Sequence, residues 1–246
     1  MTSPLATGRA DLHVHPLARV EGAYDPAPWL QALIQSGLDV VAITEHDRVD
    51  LAQDLRARMQ RLNTGPQIIM GAEITTQEGH LLGLFLHEDV PYGLSLAEAV
   101  RAVHDQHGIA VIAHPLLPSA SCVSGKNVRN LMQHSDHECH ADAIETFNSI
   151  GASIPLYVRR MRSLSRDVNR ASVGGSDAHH PDGLGMGITT FAGKTGDDLR
   201  EAILANRTRS SGKAAESLWR NVLAMPRRWH GTRAKLVEAA KIKAAE

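Results

Sequence analysis

Short apolar runs of five to nine residues recur along this chain, separated by stretches with helical spacing, and that alternation restricts the fold more than any other feature. The runs are Ala10–His15, Leu38–Thr44, Gln67–Thr75, His80–Leu86, Ile109–Ala113, Ala141–Asn148 and Met186–Phe191. Between them, Asp25-Pro26 opens a helical pattern through Trp29, Leu33 and Ile34 that Gly37 stops. Arg48–Leu62 reads as helix up to Gly65-Pro66, and Ser95 with Glu98 makes a capping box at the head of Ser95–His107. Ile154–Arg170 and Asp197–Asn206 complete the series, while Pro118–Gly125 reads as a Ser/Gly-rich loop. Strand alternating with helix is the rhythm of βα units around a parallel sheet. At 246 residues the chain suits one α/β barrel. Aromatic residues are only 4% of it, so the core must be built from Ala, Val, Ile and Leu.

Chemistry collects at the ends of those runs. Two histidines at i and i+2 on a strand face the same side, so His13 and His15 can grip one ion. His46, Glu73, His80, His114, Asp177 and His179 close or border other runs, and polar residues at strand ends converge on one rim of a parallel barrel. Mixed imidazole and carboxylate donors suit Mn, Fe or Zn. A shared carboxylate sets two or three such ions roughly 3.5–4 Å apart, as in two-metal hydrolysis. A net charge of −1 gives no argument for nucleic acid. Two cysteines, Cys122 and Cys139, do not make a disulfide framework, and no apolar stretch reaches membrane-spanning length, so a cytoplasmic protein is expected.

The series His13-x-His15, Thr44-Glu45-His46, Gly71-x-Glu73, His80, Ala113-His114-Pro115, Glu145-x-x-Asn148 and Gly175-Ser176-Asp177-Ala178-His179 resembles the PHP (polymerase and histidinol phosphatase) family, in that family's order over roughly residues 10–210. The resemblance implies a distorted seven-stranded (β/α) barrel, a trinuclear metal site and phosphoester hydrolysis by water activated between the ions. It would give His13, His15, Glu73 and Asp177 to a first metal. Glu73 would bridge to a second, completed by His80 and His114, and Glu21, His46 and His179 would hold a third. Glu73, Asp177 and His179 are the candidate catalytic residues. Three positions depart from the family pattern: Glu45 stands before His46 in place of Asp, Pro16 follows the second histidine, and Arg19 precedes Glu21.

Arg19, Lys126 and Asn148 are the candidate substrate contacts, and Arg129, Arg159 and Arg160 are further cations available near the rim. Leu116–His140 reads as a loop, too short for an inserted domain and without aromatics among its basic residues. A small phosphoester, a nucleotide or another phosphorylated metabolite, is therefore preferred over a long polynucleotide. His134, His137 and His140 have the spacing of an exposed helix or of a further metal clip, as do His104 and His107. Two other readings stand beside the phosphoesterase: an amidohydrolase-type C–N hydrolase, and a non-catalytic metal-stabilised module acting through a partner. The first lysine of the chain is Lys126, after the early strands, which disfavours a carboxylated-lysine bridge on the fourth strand.

The barrel is expected over residues 1–212. Residues 213–246 hold eight Lys and Arg against three Glu. They read as a basic helical extension, broken at Pro226, that packs on the barrel or docks a partner, an acidic surface or a second copy.

Overall fold

The structure, a computed structural model, describes residues 7–17, 24–117, 119 and 121–214. Arg19, Glu21 and the stretch from 215 onward, to which the sequence assigns the basic helical tail, lie outside the described residues. Nine strands form one sheet: β1 (Thr7–Asp11), β2 (Val40–Ile43), β3 (Gln67–Thr75), β4 (His80–Leu84), β5 (Ile109–Ile112), β6 (Ala143–Asn148), β7 (Ala171–Gly175), β8 (Gly187–Ala192) and β9 (Arg209–Gly212). Among the described residues six helices accompany them: α1 (Pro26–Gln35), α2 (Asp50–Leu62), α3 (Leu96–Asp105), α4 (Gly125–Met132), α5 (Tyr157–Asp167) and α6 (Gly196–Leu204).

Strands β1 to β7 lie side by side in sequence order, with β8 and β9 beyond β1. The sheet then closes on itself. The chain just past β1 bridges the chain just past β7 at Val14 and Ala178, with His15 N–H on Ala178 O at 2.8 Å and Asp177 N–H on His13 O at 2.8 Å. Lower down, Thr189 of β8 exchanges hydrogen bonds with Gly174 of β7. The result is a seven-stranded, distorted (β/α) barrel whose seam is covered by the β8–β9 ribbon.

Side-chain alternation builds the two layers of the core. Val40 and Ala42 of β2, with Ile109 and Val111 of β5, pack together with Ala10, Ala143 and Ala171. Val41 and Ile43 instead face α1 and α2 through Leu33, Leu55 and Met59. Small residues filling the interior explain how a barrel closes with so few aromatics. Helix starts follow their caps: Asp25 accepts from Ala27 N–H ahead of Pro26, and the Ser95–Glu98 capping box is made in both directions.

Three local expectations are corrected, and one strand was not foreseen. The sheet is not uniformly parallel, because β4 pairs antiparallel with both β3 and β5. Only residues 76–79 separate β3 from β4, a tight turn that cannot return the chain for a parallel pairing. Within Leu116–His140 the chain forms α4, capped by Ser124, and a 3-10 turn at His137–Cys139. The helix expected from Ile154 begins at Tyr157, after a 3-10 turn at Gly151–Ser153. The polar strand β9 had no apolar run to announce it.

Candidate metal centre

The rim formed by the C-terminal ends of the parallel strands carries the histidines and carboxylates. His13 and His15 lie on the extended chain after β1, their rings 5.0 Å apart. His46 follows β2 and is bridged to Glu73 within β3. His80 is the exception to a strand-end placement: it begins β4. Because β4 runs antiparallel, its first residue lies at the same rim as the last residues of its neighbours. His114 follows β5, and Asp177 and His179 follow β7. His114 and Asp177 occupy left-handed backbone, with φ of 25° and 56°, a strained conformation that concentrates at functional sites.

Glu73 is the hub. Its Oε1 lies 2.7 Å from His80 Nδ1 and 2.9 Å from His114 Nε2. Its Oε2 lies 3.2 Å from His15 Nε2, 3.2 Å from His46 Nδ1 and 3.5 Å from His13 Nε2. Asp177 Oδ1 faces the same pair of histidines, 3.5 Å from His15 Nε2 and 3.7 Å from His13 Nε2. Four groups of donors have ligand atoms within 4.8 Å of one another: His13, His15 and Asp177; His13, Glu73 and His114; His46, Glu73 and His80; His15, His46 and His179.

Carboxylates behind the histidines fix which nitrogen faces inward. Glu145 Oε1 is 3.1 Å from His13 Nδ1, and Glu45 Oε1 is 3.4 Å from His15 Nδ1. With Nδ1–H donating outward, each Nε2 presents its lone pair to the centre. Those two buried Nε2 atoms have no hydrogen-bond partner among the described residues. Glu45 also accepts from the backbone N–H of His46 and Leu17, so the residue that departs from the family pattern orients His15 and the chain around it. His179 Nδ1 donates to Asp177 O at 2.9 Å, and His114 Nδ1 meets Cys122 Sγ at 3.2 Å.

Electrostatics follow from this crowding. Burial alone would keep the His13 imidazole neutral, but Glu145, Asp177 and Glu73 push its pKa well above the ordinary value. Burial likewise opposes ionisation of Glu73, yet His80, His13 and His46 hold its carboxyl well below the usual range. His46 goes the other way: burial pushes its pKa down to about 3. Among the described residues, neither Lys nor Arg makes an ion pair with Glu45, Glu73, Glu145 or Asp177. Buried carboxylates without a basic side chain, together with inward imidazole lone pairs, form a donor set that fits divalent cations.

The remaining sequence candidates fall elsewhere. Asn148, expected to touch substrate, is fully buried; its Nδ2 donates to Glu145 and Asp177, and its Oδ1 accepts from Ile150 and Gly151 N–H. Its amide is thus engaged inside the protein and braces those two carboxylates. Lys126 is exposed on α4 and makes no ion pair among the described residues. His104, His107, His137 and His140 line a cavity of about 460 Å³ with Arg170 and Arg200. That cavity lies at the starts of β5, β6 and β7, the opposite end from the rim. Sequence reasoning missed the contact of Cys122 with His114, which no spacing announces. It also missed Asp11, a fully buried carboxylate that ties the chain after β7 to β1 by accepting from Ser176 and Gly185 N–H. Its only signal was an acid inside the apolar run Ala10–His15.

Comparison with known proteins agrees with this architecture. Residues 155–208 match the PHP-associated family. The chain is 30% identical over 151 residues to the uncharacterized protein MJ1587 of Methanocaldococcus jannaschii, a match spanning 57% of this chain and 82% of that one. A two-domain protein from Bacteroides vulgatus containing a predicted PHP-like metal-dependent phosphoesterase superposes with a TM-score of 0.66 at 22% identity, over 91% of this chain and 72% of that one. A lesion-specific endonuclease from Pyrococcus furiosus superposes with a TM-score of 0.51 at 16% identity, over 81% of this chain and 56% of its own. The ordered motifs, the closed barrel and these matches together place the chain in the PHP family.

Proposed function

We propose that this chain is a metal-dependent phosphoesterase that hydrolyses a small phosphorylated substrate at the rim of the barrel. The observation that carries the reading is the Glu73 hub, one buried carboxylate within 2.7–3.5 Å of five imidazoles. His13, His15, Glu73 and Asp177 would hold one divalent ion, Glu73, His80 and His114 a second, and Glu21, His46 and His179 a third. Mn, Fe or Zn held there would lower the pKa of water and withdraw charge from a phosphoryl group. The chain's own residues do the rest. Glu145 and Glu45 lock the His13 and His15 tautomers, Asn148 restrains Asp177 and Glu145, and Glu73 faces both halves of the donor set at once. Asp177 and His179 share one short loop at the mouth, where they meet the reacting group.

The named phosphoesterase and endonuclease among the similar folds favour phosphoester chemistry. The small-substrate preference rests on Leu116–His140, which offers α4 and a 3-10 turn but no stacking platform. The decisive experiment is metal analysis of purified protein, followed by Mn-supplemented assays on phosphomonoesters, phosphodiesters, nucleotides, an oligonucleotide and amides. Bound metal with turnover of small phosphoesters is the expected result. Stripping the metal should lower Tm by roughly 5–10 °C, from about 2.7 kcal/mol of binding at a hundredfold excess over Kd. Turnover of amides alone would make it a C–N hydrolase, metal without turnover a module, and preference for the oligonucleotide would overturn the small-substrate reading.

A further inference from the structure

The helix that leaves the metal rim breaks three local rules at its first turn. α5 begins at Tyr157 without a side-chain cap, because its N-cap residue is Leu156, held in left-handed backbone at φ 64°. Its first turn carries no acid, although the positive end of the helix dipole favours one. It carries Arg159 and Arg160 instead, both exposed and in no ion pair among the described residues. Two cations at an uncapped helix N-terminus repel the dipole unless an anion lies between them.

A second observation points the same way. Tyr157 is buried, at 4% exposure, and its hydroxyl has no hydrogen-bond partner among the described residues. A buried phenolic O–H without a partner costs free energy comparable to a lost hydrogen bond, so its persistence needs a reason. The ring is held in place by Gly151, where a methyl group would come within 2.4 Å of it. Burial above all, then the charge of Glu145, pushes the phenol's pKa well above its ordinary value, so the hydroxyl stays a donor. The ring packs on Gly151, whose N–H donates to Asn148 Oδ1, and Asn148 in turn braces Glu145 and Asp177, so Tyr157 lies beside the metal rim.

We propose that Tyr157 and the N-terminus of α5 form a phosphate-contacting subsite of the rim, with the phenol donating a hydrogen bond to a non-bridging phosphoryl oxygen. The site being occupied by a phosphoryl group rests on the phosphoesterase reading above. Arg159 and Arg160 add positive potential at the mouth, which salt screens, whereas the buried phenol is screened much less.

The test is the isosteric variant Tyr157→Phe in the metal-loaded protein, with inorganic phosphate as the probe. Phosphate affinity is read by calorimetry and as competitive inhibition of turnover. Hydrogen bonds to charged groups predict a loss of about tenfold or more in phosphate affinity. Metal content should be unchanged and Tm equal to or above wild type, since a partnerless hydroxyl has been removed. Arg159→Gln with Arg160→Gln should weaken phosphate binding less, and that loss should shrink at high salt. Phosphate affinity within twofold of wild type, or a fall in Tm for Tyr157→Phe, overturns the subsite. If the wild type binds phosphate through Tyr157 but hydrolyses no phosphoester, the subsite stands and the phosphoesterase reading falls. If turnover is intact and KM in Tyr157→Phe is unchanged, the subsite falls and the reading stands.

Discussion

Replacing Glu145 by Gln changes one charge and almost no volume, yet it should reach two of the proposed metal donors at once. Glu145 is 1% exposed; one oxygen lies 3.1 Å from His13 Nδ1 and the other accepts from His114 backbone N–H at 2.7 Å. An amide has one acceptor oxygen. If that oxygen keeps the His114 N–H, the NH₂ faces His13 Nδ1, which must become an acceptor. The His13 proton then moves to Nε2, the nitrogen aimed at Glu73 and Asp177. If the oxygen serves His13 instead, the NH₂ opposes the His114 N–H, donor against donor. Either way one charge-assisted hydrogen bond is lost, about 1.5–3 kcal/mol, or roughly 10- to 100-fold in affinity at 1.4 kcal/mol per tenfold. That range matches what outer partners of metal ligands contribute elsewhere. Apo protein titrated with Mn²⁺ by calorimetry gives the affinity, with the exposed Glu88→Gln as control. Affinities of Glu145→Gln and the control within twofold of each other would refute the argument that Glu145 sets the His13 tautomer.

Two further perturbations probe the frame. Gly187→Ala would put a methyl 1.9 Å from Gly175 O where β8 lies against β7, so overpacking should cost about 3 kcal/mol and some 6–12 °C in Tm. Gly37→Ala, with open space but φ of 63°, should cost only about 1 kcal/mol, and equal losses for the two in thermal melts would contradict the closure of the barrel described here. His104 is hydrogen-bonded to Asp142 at 2.9 Å, which raises its pKa against the opposing effect of burial. A raised histidine stabilises the fold fully below its unfolded pKa and loses that contribution as pH rises through the folded value. Urea denaturation should therefore show His104→Gln more destabilising at pH 5.5 than at pH 9; the reverse order would reject the pairing.

The candidate donors were legible because each is a polar residue bordering an apolar run, and strand period then tells which of them share a face. His13 and His15 needed nothing more. Their grouping was less legible, because it depends on register between strands far apart in sequence: His46 reaches Glu73 through a bridge that no local pattern encodes. His80 was found at the start of its run, but only the antiparallel direction of β4, which alternation does not reveal, brings that start to the same rim. α4 was hidden by the Ser/Gly composition in front of it, although Ser124 with its side chain on Asn127 N–H is an ordinary cap. β9, Arg-Ser-Ser-Gly, has no hydrophobic face to detect; it is fixed by pairing with β8 and by Ser210, which bonds Thr146 of β6 and Ser172 of β7. Tyr157 carried no sequence signal at all; that its hydroxyl has no hydrogen-bond partner among the described residues is visible only in three dimensions.

The tight turn between β3 and β4 has a kinetic consequence. Glu73 and His80 are seven residues apart, whereas His114 meets Glu73 across 41 and His13 meets Glu145 across 132. Hairpins form in about 1–10 μs, and loop closure grows costlier with every doubling of chain length. Glu73 and its nearest imidazole can therefore meet while the rest of the chain is still searching. Ion capture would then await the final zipping of the first strand against the seventh, so that affinity for cations reports completion of the barrel.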